Sequence, residues 1–308
     1  MPDTEFCFII NPAASGGGGN RHWSLLQELL DAAKVRYCYH VSQQKGHCAE
    51  LTRNALQGGQ RNFVAVGGDG TANEVLNGIF KEISLDRQEV TLSVVPWGTG
   101  NDWASYYGFS ARPEACIDVL RSGVTLKQDI GKVSYTNASG QPANHFFLNC
   151  AGTGFDSFLL EKMGGGGGRR LRYLLYLLKC LVSYRATPLR IDIDGDELEY
   201  LTTLLEVCIG DRAGAGMRFA PRASADDGLF EVLLIDKLST AQLIRSLTYI
   251  YNGRIDEHPA ARRWRSPRLA VAAHAEQFFH CDGELVGRLP IRLEILPRAV
   301  SIMIPSAS

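Results

Sequence analysis

The stretch Val64-Ala65-Val66-Gly67-Gly68-Asp69-Gly70-Thr71-Ala72-Asn73-Glu74-Val75 carries the densest chemistry in this chain of 308 residues. Gly67, Gly68 and Gly70 let backbone N–H groups approach an anion, while Asp69, Thr71 and Asn73 add a carboxylate, a hydroxyl and an amide. A β-branched run precedes the glycines, and Val75, Leu76, Ile79 and Phe80 follow at helical spacing. Strand, Gly-rich turn and helix is a geometry that holds phosphate, because free N–H groups and the positive end of the helix face the ligand. Asp69 does not suit contact with a bare phosphate. It suits a place beside a metal ion, or acceptance of a hydrogen bond from a sugar or substrate hydroxyl. A tight strand–helix turn with Asp or Thr as N-cap would use the same residues.

Three further motifs accompany it. Asn11-Pro12-Ala13-Ala14-Ser15-Gly16 follows the apolar run Phe6–Ile10. Pro96-Trp97-Gly98-Thr99-Gly100-Asn101-Asp102-Trp103 follows another apolar run and offers a hydroxyl, an amide and a carboxylate. Asp282-Gly283-Glu284 lies near the C-terminus after Phe278-Phe279. In an extended segment its two carboxylates point the same way, and one of them could take the proton of a hydroxyl as that oxygen attacks phosphorus. Each of these motifs alone is more often a turn than a site. Three at successive strand ends of one sheet point to a nucleotide pocket.

These turns need a sheet to hold them. Residues 6 to about 125 alternate strand and helix patterns: strands at Phe6–Ile10, Arg36–Val41, around Val64 and at Leu92–Pro96, with helices near Trp23–Ala33 and His47–Gln57. Such alternation predicts a parallel sheet covered by helices. From about Lys127 short alternating segments dominate, at Asp129–Tyr135, His145–Ala151, Leu189–Ile193, Thr202–Ile209, Leu229–Ile235, Leu269–Ala273, Ile291–Leu296 and Val300–Ile304. They predict a mostly antiparallel β domain with one or two inserted helices. The expected organisation is a nucleotide-binding α/β domain over 1–126 and a β domain over 127–308, with the last strand or tail open to returning to the first domain. The five glycines Gly164–Gly168 read as a mobile loop.

Composition narrows the class. Hydrophobic residues are 45% and charged residues 21%, ordinary for a soluble globular protein. A net charge of −1 implies no bulk attraction to nucleic acid or to an anionic membrane. The 8 cysteines include no C-x-x-C pair and sit mostly in apolar runs, which predicts buried free thiols in a reducing compartment. Neither a signal peptide nor a spanning segment is legible, so a cytoplasmic chain is expected, soluble or peripheral at the membrane.

The ordered motifs resemble the diacylglycerol kinase catalytic-domain family, of the bacterial soluble lipid-kinase type. Asn149-Cys150-Ala151-Gly152-Thr153-Gly154-Phe155-Asp156 and Ala220-Pro221-Arg222-Ala223-Ser224-Ala225-Asp226-Asp227-Gly228-Leu229 are similar to it too, in the expected order. The resemblance runs from about residue 6 to about 304. It implies an α/β nucleotide-binding domain of the kind also found in NAD kinases, followed by a β-sandwich, with ATP in the cleft between them. It implies ATP contacts at Gly67, Gly68, Asp69, Gly70, Thr71, Ala72 and Asn73, with Asn11, Ser42 and Thr99 matching further nucleotide positions; Ser42 stands where Thr is more usual. Glu284 matches the family's proton acceptor, with Asp282 beside it. Asp227, with backbone oxygens of Ser224 and Leu229, matches a Mg²⁺ site, and a carboxylate with carbonyls and water suits that ion. One departure is Ser105, where the family often has Arg. A bridge from such an Arg through Asp102 or Asp129 is therefore rebuilt here or absent.

The acceptor is less legible. Leu171, Leu174, Leu175, Leu178 and Leu181 share one face of a helix over Leu171–Val182, flanked by Arg169, Arg170, Arg172, Lys179 and Arg185. An apolar face with basic edges suits a lipid-facing helix at a membrane surface, and packing on the chain's own β domain would produce the same pattern. The expected activity is transfer of the ATP γ-phosphoryl group to a lipid hydroxyl, with Mg²⁺, a lipid substrate, a transient membrane surface and no nucleic acid. A homodimer stays an open expectation. A soluble-metabolite kinase of the NAD-kinase type shares Gly-Gly-Asp-Gly, and a non-catalytic nucleotide- or lipid-binding regulator is the third reading.

Overall fold

The computed structural model describes residues 4–14, 19–81, 89–164, 170–214 and 216–306. They fall into two compact units, residues 1–130 with 297–308, and residues 131–296.

The first unit is built from β1 (Glu5–Ile10), α1 (Gly19–Ala32), β2 (Arg36–Val41), α2 (His47–Gln57), β3 (Asn62–Gly67), α3 (Asp69–Phe80), β4 (Thr91–Pro96), α4 (Asp102–Tyr106) and α5 (Pro113–Ser122), with the start of β5 (Thr125–Thr136). Strands β2, β1, β3 and β4 lie side by side and parallel. The near-continuous apolar runs of β1, β3 and β4 are those of strands covered on both faces. Phe6, Phe8 and Ile10 meet Trp23, Leu26 and Leu30 of α1 and Ile117 and Leu120 of α5 in one core. α2 and α3 pack together. Gly78 permits this, since a Cβ there would lie 2.6 Å from the Ala49 carbonyl oxygen. α5 starts on Pro113 and stops at Gly123 in the left-handed conformation, the asymmetry expected of a helix.

The second unit holds the rest of β5, then β6 (Pro142–Phe147), β7 (Cys150–Gly154), α6 (Phe155–Met163), α7 (Arg170–Ser183), β8 (Thr187–Ile193), β9 (Asp196–Cys208), β10 (Phe230–Asp236), α8 (Thr240–Tyr251), β11 (Ala261–Ser266), β12 (Arg268–Ala273), β13 (Phe278–Cys281), β14 (Glu284–Arg288) and the start of β15 (Ile291–Met303). Its strands pair antiparallel. The long β9 gives residues 196–202 to β8, 204–208 to β7 and 202–208 to β10. Among the described residues three α-helices stand in this unit, against the one or two expected.

Strands β11, β13 and β14 stand outside the expected segments, and some of those segments are redrawn. His145–Ala151 is not one strand: β6 ends at Phe147 and β7 starts at Cys150. The amides at the break are taken by the Asp282 carboxylate. The segments 291–296 and 300–304 join into the single strand β15, whose end pairs parallel with β4 through Ser301–Thr91 and Ile302–Leu92. All eight cysteines are free thiols, buried except for the half-buried Cys38. Within the run Gly164–Gly168, Gly164 caps α6 and the other four lie outside the described residues.

Candidate active site

In the first unit the turns after β1, β3 and β4 meet at the carboxyl ends of the strands. β3 runs into Gly67 and Gly68, and α3 opens on Asp69. A Cβ on Gly67 would sit 2.2 Å from Thr71 Oγ1. A Cβ on Gly98 would sit 2.3 Å from the Gly68 Cα and 2.6 Å from Asn101 Oδ1. Only glycine allows these two turns to approach backbone to backbone. Asn101, itself left-handed at φ 56°, closes the turn after β4. Its Oδ1 accepts from the Gly98 N–H at 3.0 Å and its Nδ2 donates to the Pro96 and Gly98 carbonyls. Asn11 Nδ2 donates to Thr71 Oγ1 at 3.1 Å, tying in the turn after β1. Ser15 and Gly16 of that motif lie outside the described residues.

Asp69 does not cap its own helix. Its carboxylate accepts the backbone N–H groups of Asp102 (3.1 Å) and Trp103 (3.3 Å), at the start of α4. One carboxylate thus orients the helix that the next motif begins. Ala72 and Asn73 are buried on the first turns of α3, and Thr99 is exposed in the turn after β4. Ser42 is buried just beyond β2, its N–H donating to the Ile10 carbonyl. Glu74 escaped the sequence reading: it accepts the N–H groups of Gly46 and Cys48 and so caps α2. Its place within the Gly-rich motif was the available signal.

In the second unit Asp282 and Glu284 are not side by side on an extended segment. Asp282 (φ 47°) and Gly283 (φ 79°) form a two-residue hairpin loop between β13 and β14, the turn that Asp-Gly favours. Asp282 folds back, and its carboxylate accepts the N–H groups of Leu148 (2.8 Å), Asn149 (2.9 Å) and Cys150 (3.0 Å). Glu284 opens β14 half-buried. Turn chemistry overrides the period-two expectation, so the two carboxylates have different surroundings.

The Asp227 side chain, expected at a Mg²⁺ site, is held by protein partners. Asp227 Oδ1 accepts from the Leu229 N–H at 3.0 Å, and Oδ2 is ion-paired with the Arg265 guanidinium. Arg265 also reaches the buried Glu231 at 2.8 Å. Ser224 Oγ donates to Asp226 Oδ1. A guanidinium thus supplies the positive charge beside Asp227.

On α7, the side chains of Leu171, Leu174, Leu175, Leu178, Arg170 and Arg172, and all of Arg169, lie outside the described residues. Cys180 and Leu181 are buried, Val182 is 68% exposed, and Lys179 and Arg185 are exposed. Among the described residues no helix is long and apolar enough to cross a membrane.

Residues 5–133 match the diacylglycerol kinase catalytic domain, and residues 162–304 match the YegS C-terminal NAD kinase beta sandwich-like domain. A diacylglycerol kinase of Bacillus subtilis (strain 168) is 30% identical over 304 residues, covering 96% of this chain and 95% of the relative. This chain belongs to the diacylglycerol kinase family. It is accordingly a kinase with an alcohol group as acceptor. The crystal structure of a diacylglycerol kinase from Bacillus anthracis str. Sterne aligns with a TM-score of 0.71 at 17% identity, covering 98% of this chain and 97% of that one. Yeast NADH kinase complexed with NADH aligns with a TM-score of 0.54 at 10% identity, covering 99% and 84%. At those identities the likeness is one of fold, an α/β domain followed by an antiparallel β-sandwich.

Ser105 turns its hydroxyl to the carbonyl of Asn101, the residue that caps α4, at 2.7 Å. Asp129, fully buried, accepts the Arg298 backbone N–H at 2.7 Å. Arg298 belongs to β15, remote in sequence, and nothing in the local pattern around Asp129 announced it.

Proposed function

We propose that this chain transfers the γ-phosphoryl group of ATP to the hydroxyl of a lipid such as diacylglycerol. The observation that carries the reading is the junction of Gly67–Thr71 with Gly98–Asn101, where bare glycine backbone meets the start of α3 at the carboxyl edge of a parallel sheet. N–H groups there suit a polyphosphate. Gly67, Gly68, Gly70, Thr71, Ala72 and Asn73 hold the phosphates in this reading, and Asn11, Ser42 and Thr99 line the rest of the nucleotide site. Asp69 sets the position of α4. Glu284 takes the proton of the attacking hydroxyl, and Asp282 fixes the hairpin that presents it.

The N-terminal part serves the nucleotide and the C-terminal part the lipid. Mg²⁺ accompanies the triphosphate and offsets its charge, as in other phosphoryl transfers; no step is assigned to the turn at Asp227. The lipid is met at a membrane surface from the cytoplasmic side. The exposed Val182 beside Lys179 and Arg185 supports this, since each basic group near an anionic surface adds about 1 kcal/mol.

Thin-layer analysis of products from γ-labelled ATP tests the reading, with diacylglycerol, other lipid alcohols and NAD offered in parallel. Label in a lipid phosphate is the expected result. Label in NADP alone would assign the chain to soluble-metabolite kinases, and no transfer to any acceptor would leave a binding protein.

A further inference from the structure

We propose that Asp156, Glu206 and His280 form a binding site for one divalent transition-metal ion, of the class that accepts imidazole together with carboxylate. Three strands bring the site together. In register, His280 of β13 stands opposite Gly152 of β7, and Gly152 stands opposite Glu206 of β9. Opposed residues project to the same face of a sheet, so His280 and Glu206 flank a position with no side chain. A Cβ on Gly152 would lie 2.5 Å from Glu206 Oε2 and 2.7 Å from His280 Nε2. The two atoms therefore converge over bare backbone. The third group arrives from the helix that follows β7. Gly154 at φ 115° makes the strand-to-helix turn, and Asp156 on the first turn of α6 presses Oδ2 against His280 Nε2. The Ser157 N–H holds the other oxygen of Asp156 at 2.6 Å.

The donor set suits an ion. One ring nitrogen and two carboxylate oxygens lie within 4.8 Å of one another. Glu206 is 2% exposed and His280 4%, yet Glu206 Oε2 has no hydrogen-bond partner. A buried acceptor left unpaired is costly. A neutral imidazole, two carboxylates and a divalent cation sum to zero, with Oε2 used. A nitrogen ligand beside two oxygens favours Zn²⁺, Co²⁺ or Mn²⁺ over Mg²⁺ and Ca²⁺, which prefer all-oxygen shells. The partly exposed Asp156 side chain supplies the way in. An ion here would tie α6 to β7, β9 and β13.

The test uses the full chain without nucleotide, stripped with EDTA and desalted. Co²⁺ and then Zn²⁺ are added, bound metal is counted by mass spectrometry after gel filtration, and Co²⁺ is followed by its visible absorption. The expected result is one equivalent retained, in the presence of excess Mg²⁺. Glu206→Gln, which keeps the shape, should weaken binding by about tenfold or more. Should that variant fail to fold, Asp156→Asn at the partly exposed position gives the same readout. Asp227→Ala should keep the full equivalent. No retained ion in the wild-type chain, or equal binding by the folded Glu206 or Asp156 variant, would overturn the proposal.

Discussion

Gly68 and Gly98 face each other so closely that a methyl group on Gly98 would lie 2.3 Å from the Gly68 Cα. The contact joins the turn after β3 to the turn after β4 with no side chain between them. Gly98→Ala must therefore move one of the two turns, at a cost of about 1–3 kcal/mol for such overpacking. The expected outcome is a lower melting temperature together with a raised KM for ATP. Unchanged ATP kinetics in the folded variant would detach this junction from the nucleotide.

Asp69→Asn keeps an acceptor but turns an NH₂ group toward the start of α4, where two N–H groups now meet a carboxylate. We expect kcat to fall by about 10²–10³, the scale of losing one placed charge in a preorganised site. Circular dichroism should be unchanged. Near-normal turnover would show that Asp69 only shapes the turn.

Asp282 and Glu284 should behave oppositely. Asp282→Ala strips three N–H groups of their acceptor and should cost about 1–3 kcal/mol of stability. Glu284→Gln should leave the melting temperature alone and lower kcat by about 10²–10⁴, the range of a general base. A pair of melting curves with matched steady-state kinetics checks both. A stable, inactive Asp282→Ala would reverse the two roles.

Asp227→Ala removes one exposed arm of the Arg265 network and leaves the Glu231 arm in place. A loss of no more than about 1 kcal/mol follows from an exposed pair, and the Mg²⁺ concentration for half-maximal activity should not move. A rightward shift of that titration would mean that the turn holds the ion after all.

The buried triad predicts a pH dependence in metal-free protein. Burial raises the Glu206 carboxyl to about 8, whereas an unfolded glutamate titrates near about 4.3. Between these values the folded chain keeps a proton that the unfolded chain has lost, so stability falls as pH rises. His280, raised by the Asp156 and Glu206 carboxylates against the effect of burial, adds the same sign above its unfolded range. Asp156, opposed by burial but held low by His280, acts only in acid. Melting temperature should therefore decline between about pH 5 and 8, and Glu206→Gln should flatten the decline. An identical slope in the variant would show Glu206 ionised throughout.

Much of the architecture was legible in local pattern. Phe6–Ile10 and Phe63–Val66 are apolar at every position, which marks strands covered on both faces. The helix spacing after Gly70 and the glycines at 67, 68 and 98 identified the turns, because a backbone approach that excludes Cβ leaves few residue choices. The family could be recognised for the same reason: its motifs are short, contiguous and set by backbone geometry.

Tertiary structure decided what depends on residues distant in the chain. Asp282 reads locally as half of a carboxylate pair, but its partners are the amides of 148–150, and they break an expected strand in two. Asp227 reads as an oxygen donor until β11 lays Arg265 against it. Asp129 meets the backbone of Arg298. Glu206 and His280 look like unremarkable members of apolar strands until register sets them on either side of Gly152. Pattern along a chain reports which face a residue takes and how its backbone must bend. It does not report which strand will be the neighbour, and in a sheet that neighbour decides whether a buried carboxylate meets an amide, a guanidinium or another acid.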